Sequence, residues 1–125
     1  MAGTLTISTL SGGTNSTSST NCIQGSAKAW AYFIPSSGSV TRSFNISSIT
    51  RNSAGNYTAN FTNALPSAYY VISGTEGTLS TSNGCRNWGI VSTGGQTATS
   101  CNFVNNNSSG VAEDMAFGTI VFHGS

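Results

Sequence analysis

Charge is nearly missing from this chain. Four Lys or Arg and three Asp or Glu leave a net charge of +1, and only 6% of the 125 residues are charged, against ~25% in an ordinary soluble domain. The cations Lys28, Arg42, Arg51 and Arg86 are scattered, so no basic row exists to neutralise a line of phosphates. Nucleic acid and anionic membranes are therefore not expected partners. Helical periodicity is missing as well: no window repeats apolar residues at i, i+3, i+4 and i+7 between good helix formers. No apolar run approaches the ~20 residues that cross a bilayer, so no membrane insertion is expected. Residues 1–5 carry neither the charged nor the apolar region of a secretory signal, which leads to the expectation of synthesis in a reducing cytosol.

Cysteine is sparse. Cys22, Cys85 and Cys101 form an odd set with no CxxC pair, which fits neither a disulfide framework nor a zinc site. Zinc would accept these three with His123, and Cys85 could join Cys101 once released into an oxidising medium. The scattered spacing favours buried small hydrophobes over both, and no metal or cofactor is expected. Carboxylates are equally few. His123, Asp114 and a serine can be written as a triad, but the chain has no G-x-S-x-G elbow. Adjacent Glu113 and Asp114 would point to opposite faces of a strand, whereas a glycosidase needs two carboxylates facing across a cleft; Glu76 is the only other one. The chain is therefore expected not to be an enzyme. The N-x-S/T triplets at Asn45, Asn56 and Asn60 reflect composition, given no signal for export.

What the chain does have is Ser, Thr, Asn and Gly, together roughly half of it, and short runs rich in Thr, Val, Ile, Tyr and Phe between Gly/Asn/Ser clusters. Such runs read as strands. Residues 4–10 alternate, with Leu5 and Ile7 on one face, and residues 11–21 read as a loop or a loosely paired polar segment. Residues 27–34 form a strand with Trp30, Tyr32 and Ile34 on one face, ended by Pro35. Residues 40–46 and 49–51 follow, with Phe44 and Ile46 facing alike. The turn Asn52-Ser53-Ala54-Gly55-Asn56 then leads into an alternating run with Tyr57, Ala59 and Phe61 inward, which predicts a β-hairpin. Further strands are expected over 69–73, around Leu79, and over 88–91, 99–104 and 115–122. In the last of these, Phe117, Thr119 and Val121 oppose Ile120 and Phe122. A turn falls at Thr93-Gly94-Gly95-Gln96.

About eight short strands at this spacing predict an all-β, antiparallel β-sandwich (jelly-roll or Ig-like) built as a single domain over residues 1–125. Its expected core is Trp30, Tyr32, Phe44, Ile46, Tyr57 and Phe61. Candidate binding residues lie in loops where aromatics and amides mix, as in adaptable binding surfaces: Asn83, Arg86, Trp88, Asn105, Asn106 and Asn107, with Tyr69-Tyr70 nearby.

Four ordered blocks carry a resemblance: Gly25-Ser26-Ala27-Lys28-Ala29-Trp30-Ala31-Tyr32-Phe33, Ser43-Phe44-Asn45-Ile46-Ser47-Ser48-Ile49-Thr50, Gly55-Asn56-Tyr57-Thr58-Ala59-Asn60-Phe61-Thr62 and Ala68-Tyr69-Tyr70-Val71. Together with Gly3-Thr4-Leu5 and Gly13-Thr14-Asn15-Ser16-Thr17, they resemble a β-rich module of tailed-bacteriophage tail-fibre proteins and of small stand-alone virion proteins of aquatic phages. Thr119-Ile120-Val121-Phe122 resembles that module's last strand. Residues 74–110 have no counterpart, and the module usually ends a long chain. The resemblance implies a virion structural protein: a homotrimeric tail-fibre or fibre-tip subunit, with capsid (head) decoration as the alternative. Expected partners are further copies of the chain, other virion proteins of the fibre, baseplate or capsid, and a glycan of the host surface. The expected location is the virion, assembled in the cytoplasm of a host bacterium.

Overall fold

The computed structural model describes residue 3 and residues 6–77, 87–91 and 94–124. Asn83, Arg86, Cys85 and the strand expected around Leu79 lie outside the described residues, as do Thr4 and Leu5.

Among the described residues, period-two alternation yields ten strands. They are β1 Thr9–Gly12, β2 Asn15–Ser18, β3 Ala27–Ile34, β4 Ser39–Phe44, β5 Ile46–Ser53, β6 Asn56–Phe61, β7 Val71–Gly77, β8 Asn87–Ile90, β9 Ser100–Asn106 and β10 Phe117–His123, with one helix, α1 Ser19–Gly25. All their pairings are antiparallel. One sheet runs β4-β3-β10-β7, a second runs β5-β6-β9-β8, and β1-β2 is a separate ribbon. The expected all-β antiparallel sandwich is what forms, with ten strands in place of about eight.

The two four-stranded sheets meet through alternate residues. Ala29, Ala31 and Phe33 of β3 and Ile120 and Phe122 of β10 face Tyr57, Ala59 and Phe61 of β6 and Cys101 and Phe103 of β9, all buried. Aromatic rings bridge the layers edge to face, Phe33 on Tyr57 at 5.5 Å and Phe61 on Phe122 at 5.0 Å, the geometry that ring quadrupoles favour. Small Ala29, Ala31 and Ala59 leave room for those rings.

This corrects the expected core. In β3 it is Ala29, Ala31 and Phe33 that point inward, so Trp30 (38% exposed) and half-buried Tyr32 and Ile34 belong to the outer face. Both parities of this strand are apolar, and the larger residues lie on the less obvious side. Phe44 is 55% exposed while Ile46 is buried, because the chain does not run straight between them. Asn45 sits at φ 54°, a left-handed conformation that Asn tolerates, and there the chain crosses from one sheet to the other. Its side chain holds the crossing: Nδ2 donates to the carbonyls of Lys28 and Asn63 (both 3.1 Å) and Oδ1 accepts from the Asn63 N–H (2.8 Å). Ile46, Tyr57 and Phe61 are buried as expected.

Other boundaries also move. The first described strand begins at Thr9, with Ile7 outside it and 43% exposed. The segment 11–21 contains β2 and the start of α1, whose N-cap Ser18 accepts from the Asn21 N–H at 3.1 Å. The strand expected from Tyr69 begins at Val71 and continues to Gly77. The hairpin of β5 and β6 forms as expected, closing at Ala54-Gly55.

Candidate functional site

Asp114, one of the residues considered for chemistry, is committed to structure. The Asp114 carboxylate accepts from Arg51 Nε (2.9 Å) and Nη2 (2.7 Å), the Gly55 N–H (2.9 Å) and the Tyr57 hydroxyl (2.6 Å). It pins the segment before β10 to the β5–β6 hairpin. Desolvation alone would raise its pKa, but the hydrogen bonds from Arg51, Gly55 and Tyr57 outweigh that and hold it below the ordinary carboxylate value. Burial, then the bond to Asp114, pushes the Tyr57 phenol up. His123 is at the far end of β10, paired with Ala27 and Val71, about 20 Å of strand away from Asp114.

A carboxylate favoured in the folded state adds stability in full above its unfolded value of about 3.9 and loses it as pH falls through the lower folded value. Stability is therefore expected to drop on acidification below about pH 4. Asp114→Asn should flatten that drop and cost about 1–3 kcal/mol at neutral pH. Urea unfolding at pH 7 and pH 3 measures both, and an unchanged acid limb in the variant would contradict the pin.

Cys101 is a 0% exposed core residue, and burial pushes its thiol up to about 11. Among the described residues, no three His, Cys, Asp or Glu gather as a metal site. Of the expected binding residues, the four described ones lie in or beside β8 and β9. Asn105 is 0% exposed in β9; its N–H donates to the Gly55 carbonyl (2.8 Å) and its Nδ2 to the Glu113 carbonyl (2.8 Å). Asn106 is a half-buried residue of the same strand. Asn107 organises its turn, its Oδ1 accepting from the N–H groups of Ser109 and Val111 (both 3.0 Å). Trp88 is half-buried and packs against Phe103 at 5.2 Å. Tyr69, by contrast, is 89% exposed in the loop before β7, while Tyr70 beside it is buried.

The two outer faces of the sandwich differ in kind. On the β5-β6 face, polar side chains satisfy one another: Asn52 Nδ2 donates to Asn56 Oδ1 and Thr58 Oγ1 (both 2.9 Å), and Asn60 Nδ2 to Ser48 Oγ (3.0 Å). That is a face made for water. On the β4-β3-β10-β7 face, Phe44, Trp30 and Val121 stand side by side across three strands. Val71, 67% exposed, is paired with His123 on the next strand. Tyr32 stacks on Phe117 at 5.4 Å and 13°. Beside this row a shallow hollow of about 280 Å³ is lined by Phe44, Asn45, Thr62 and Asn63. No known protein family, characterised protein or solved structure matches this chain. The site therefore has to be judged on its own chemistry: an aromatic and aliphatic row, with Arg42 beside Tyr32 and His123 beside Val71.

The sequence contained a signal for it. β3 and β10 are apolar on both faces, and a strand of that kind belongs to a sheet covered on both sides. The sandwich covers only one.

Proposed function

We propose that this chain is a non-enzymatic structural protein of a bacteriophage virion, a tail-fibre or fibre-tip subunit that assembles as a homotrimer. The observation that carries the proposal is the Phe44–Trp30–Val121 row, with Phe44 and Trp30 exposed and Val121 half-buried, on a sheet whose opposite face is already the core. An exposed apolar face rimmed by polar residues marks a protein interface. Closed symmetry would repeat this face around an axis and bury it. The four sequence blocks that resemble the tail-fibre module supply the biological setting. Two of them also have structural work: Asn45 of the second block makes the crossing between sheets, and Gly55 and Tyr57 of the third hold the Asp114 pin. Asp114 and His123, the residues an enzyme would recruit, stand at opposite ends of β10.

One pull-down tests the reading. Tagged protein is incubated with host cells in one tube and with empty capsids in another. Retention on cells is expected for a fibre subunit; retention on capsids alone would reassign it to head decoration, and binding to neither, nor to purified fibres, would contradict a virion role.

A further inference from the structure

The N-terminal arm is the part of the fold that the sandwich does not use. From Thr6 to Ser26 no described side chain is buried, α1 buries nothing, and β1 and β2 pair only with each other. A ribbon of two short strands is marginal in water by itself. Ile7, Leu10 and Ile23 are nevertheless 43%, 53% and 63% exposed, and residues 6–26 contain no Lys, Arg, His, Asp or Glu. Natural open edges are protected by charge, proline or a covering element. Among the described strands this ribbon has no further partner, and it carries neither charge nor proline.

One chain thus carries an apolar face without cover and an uncharged arm without a core. We propose that the arm of one copy lies on the outer β4-β3-β10-β7 face of a second copy, placing Leu10 and Ile23 against Trp30, Phe44 and Val121. This rests on the reading of the chain as an assembly subunit and names the interface it uses. A second copy is the occupant because the arm offers what the face needs, exposed apolar side chains on a segment with no charge to desolvate. Within its own chain the arm is tethered beside the start of β3, where Lys28 Nζ donates to the Ile23 carbonyl, and it leaves the face open. Size agrees as well: the arm's roughly twenty residues, as one side of the contact, reach the lower end of the about 20–30 residues per side of a stable interface. Arm on face is a head-to-tail contact, which closes into a ring when the rotation allows.

The test uses the full chain in three forms. By light scattering at micromolar concentration the unmodified protein is expected at about 38 kDa, three copies of 12.8 kDa. Leu10→Asp with Ile23→Asp touches no core residue and is expected to give 12.8 kDa with an unchanged far-ultraviolet dichroism spectrum. Trp30→Ser with Phe44→Ser is expected to do the same from the other side. Mixing the two variants should restore a complex, because one retains an intact face and the other an intact arm; if the face variant fails to fold, the arm variant's mass decides alone. A two-copy mass that the arm variant abolishes would support the arm interface while counting against the trimer. A monomeric unmodified protein, or an oligomer that survives in the arm variant, would overturn it. A monomer that still bound fibres or capsids would overturn the arm interface and leave the virion role standing.

Discussion

Phe33→Ala is expected to lower the unfolding free energy by about 3–5 kcal/mol, the range for a large aromatic removed from a packed core. Phe44→Ala is expected to cost about 1 kcal/mol or less in the monomer, the size of a single cross-strand pair. The residue type and the replacement are identical, and both sites lie on adjacent strands of one sheet. What differs is the side of the sheet. Phe33 is 0% exposed and meets Tyr57 at 5.5 Å and Phe103 at 6.1 Å, whereas Phe44 is 55% exposed. Its deletion leaves no cavity. Urea unfolding of both variants in the Leu10→Asp/Ile23→Asp background removes any contribution from association. Equal losses would mean that the inner and outer faces of β3 and β4 are wrongly distinguished.

Gly55→Ala is the second large effect. The β5–β6 turn is clamped between Asn105 and the segment 112–114, and a Cβ on Gly55 would stand 2.2 Å from the Glu113 nitrogen and 2.7 Å from the Ala112 carbonyl carbon. Both are backbone atoms and cannot swing away. Gly55 also has φ +70°, where an L side chain is strained by about 1–3 kcal/mol, and overpacking adds about 1–3 kcal/mol more. A total loss of about 2–6 kcal/mol is expected, with an unchanged denaturant slope. Gly13→Ala is the control. It has φ +64° with nothing within 4 Å of its Cβ, so only the strain applies. If the two variants lose the same stability, the clamp contributes nothing.

These two sites show what the sequence made legible. The hairpin containing Gly55 could be read directly, since a Gly/Asn turn was followed by Tyr57, Ala59 and Phe61 at every second position with polar residues between. In Ala27–Ile34 that rule had no purchase, because both faces are apolar. Size suggested Trp30 and Tyr32 for the core, whereas close approach of the sheets requires Ala29 and Ala31 there. Asn45 looked like one more strand residue, since nothing in a sequence reports a positive φ. The seven residues of α1 have no buried face and so leave no periodicity to detect. Asn105 was indistinguishable from the loop asparagines after it; only its partners, the Gly55 and Glu113 carbonyls, set it apart. The outer aromatic row went unrecognised for the same reason that Trp30 was placed inside.

The most direct test of the account concerns that tryptophan in solution. Trp88→Phe leaves Trp30 as the only indole, and it orphans no hydrogen bond because Trp88 Nε1 has no partner among the described residues. Acrylamide quenching of Trp30 should then be weak at high protein concentration and several-fold stronger on dilution, with the Leu10→Asp/Ile23→Asp chain quenched strongly throughout. Trp30 quenched equally at every concentration, in both chains, would mean that no second copy ever covers this face.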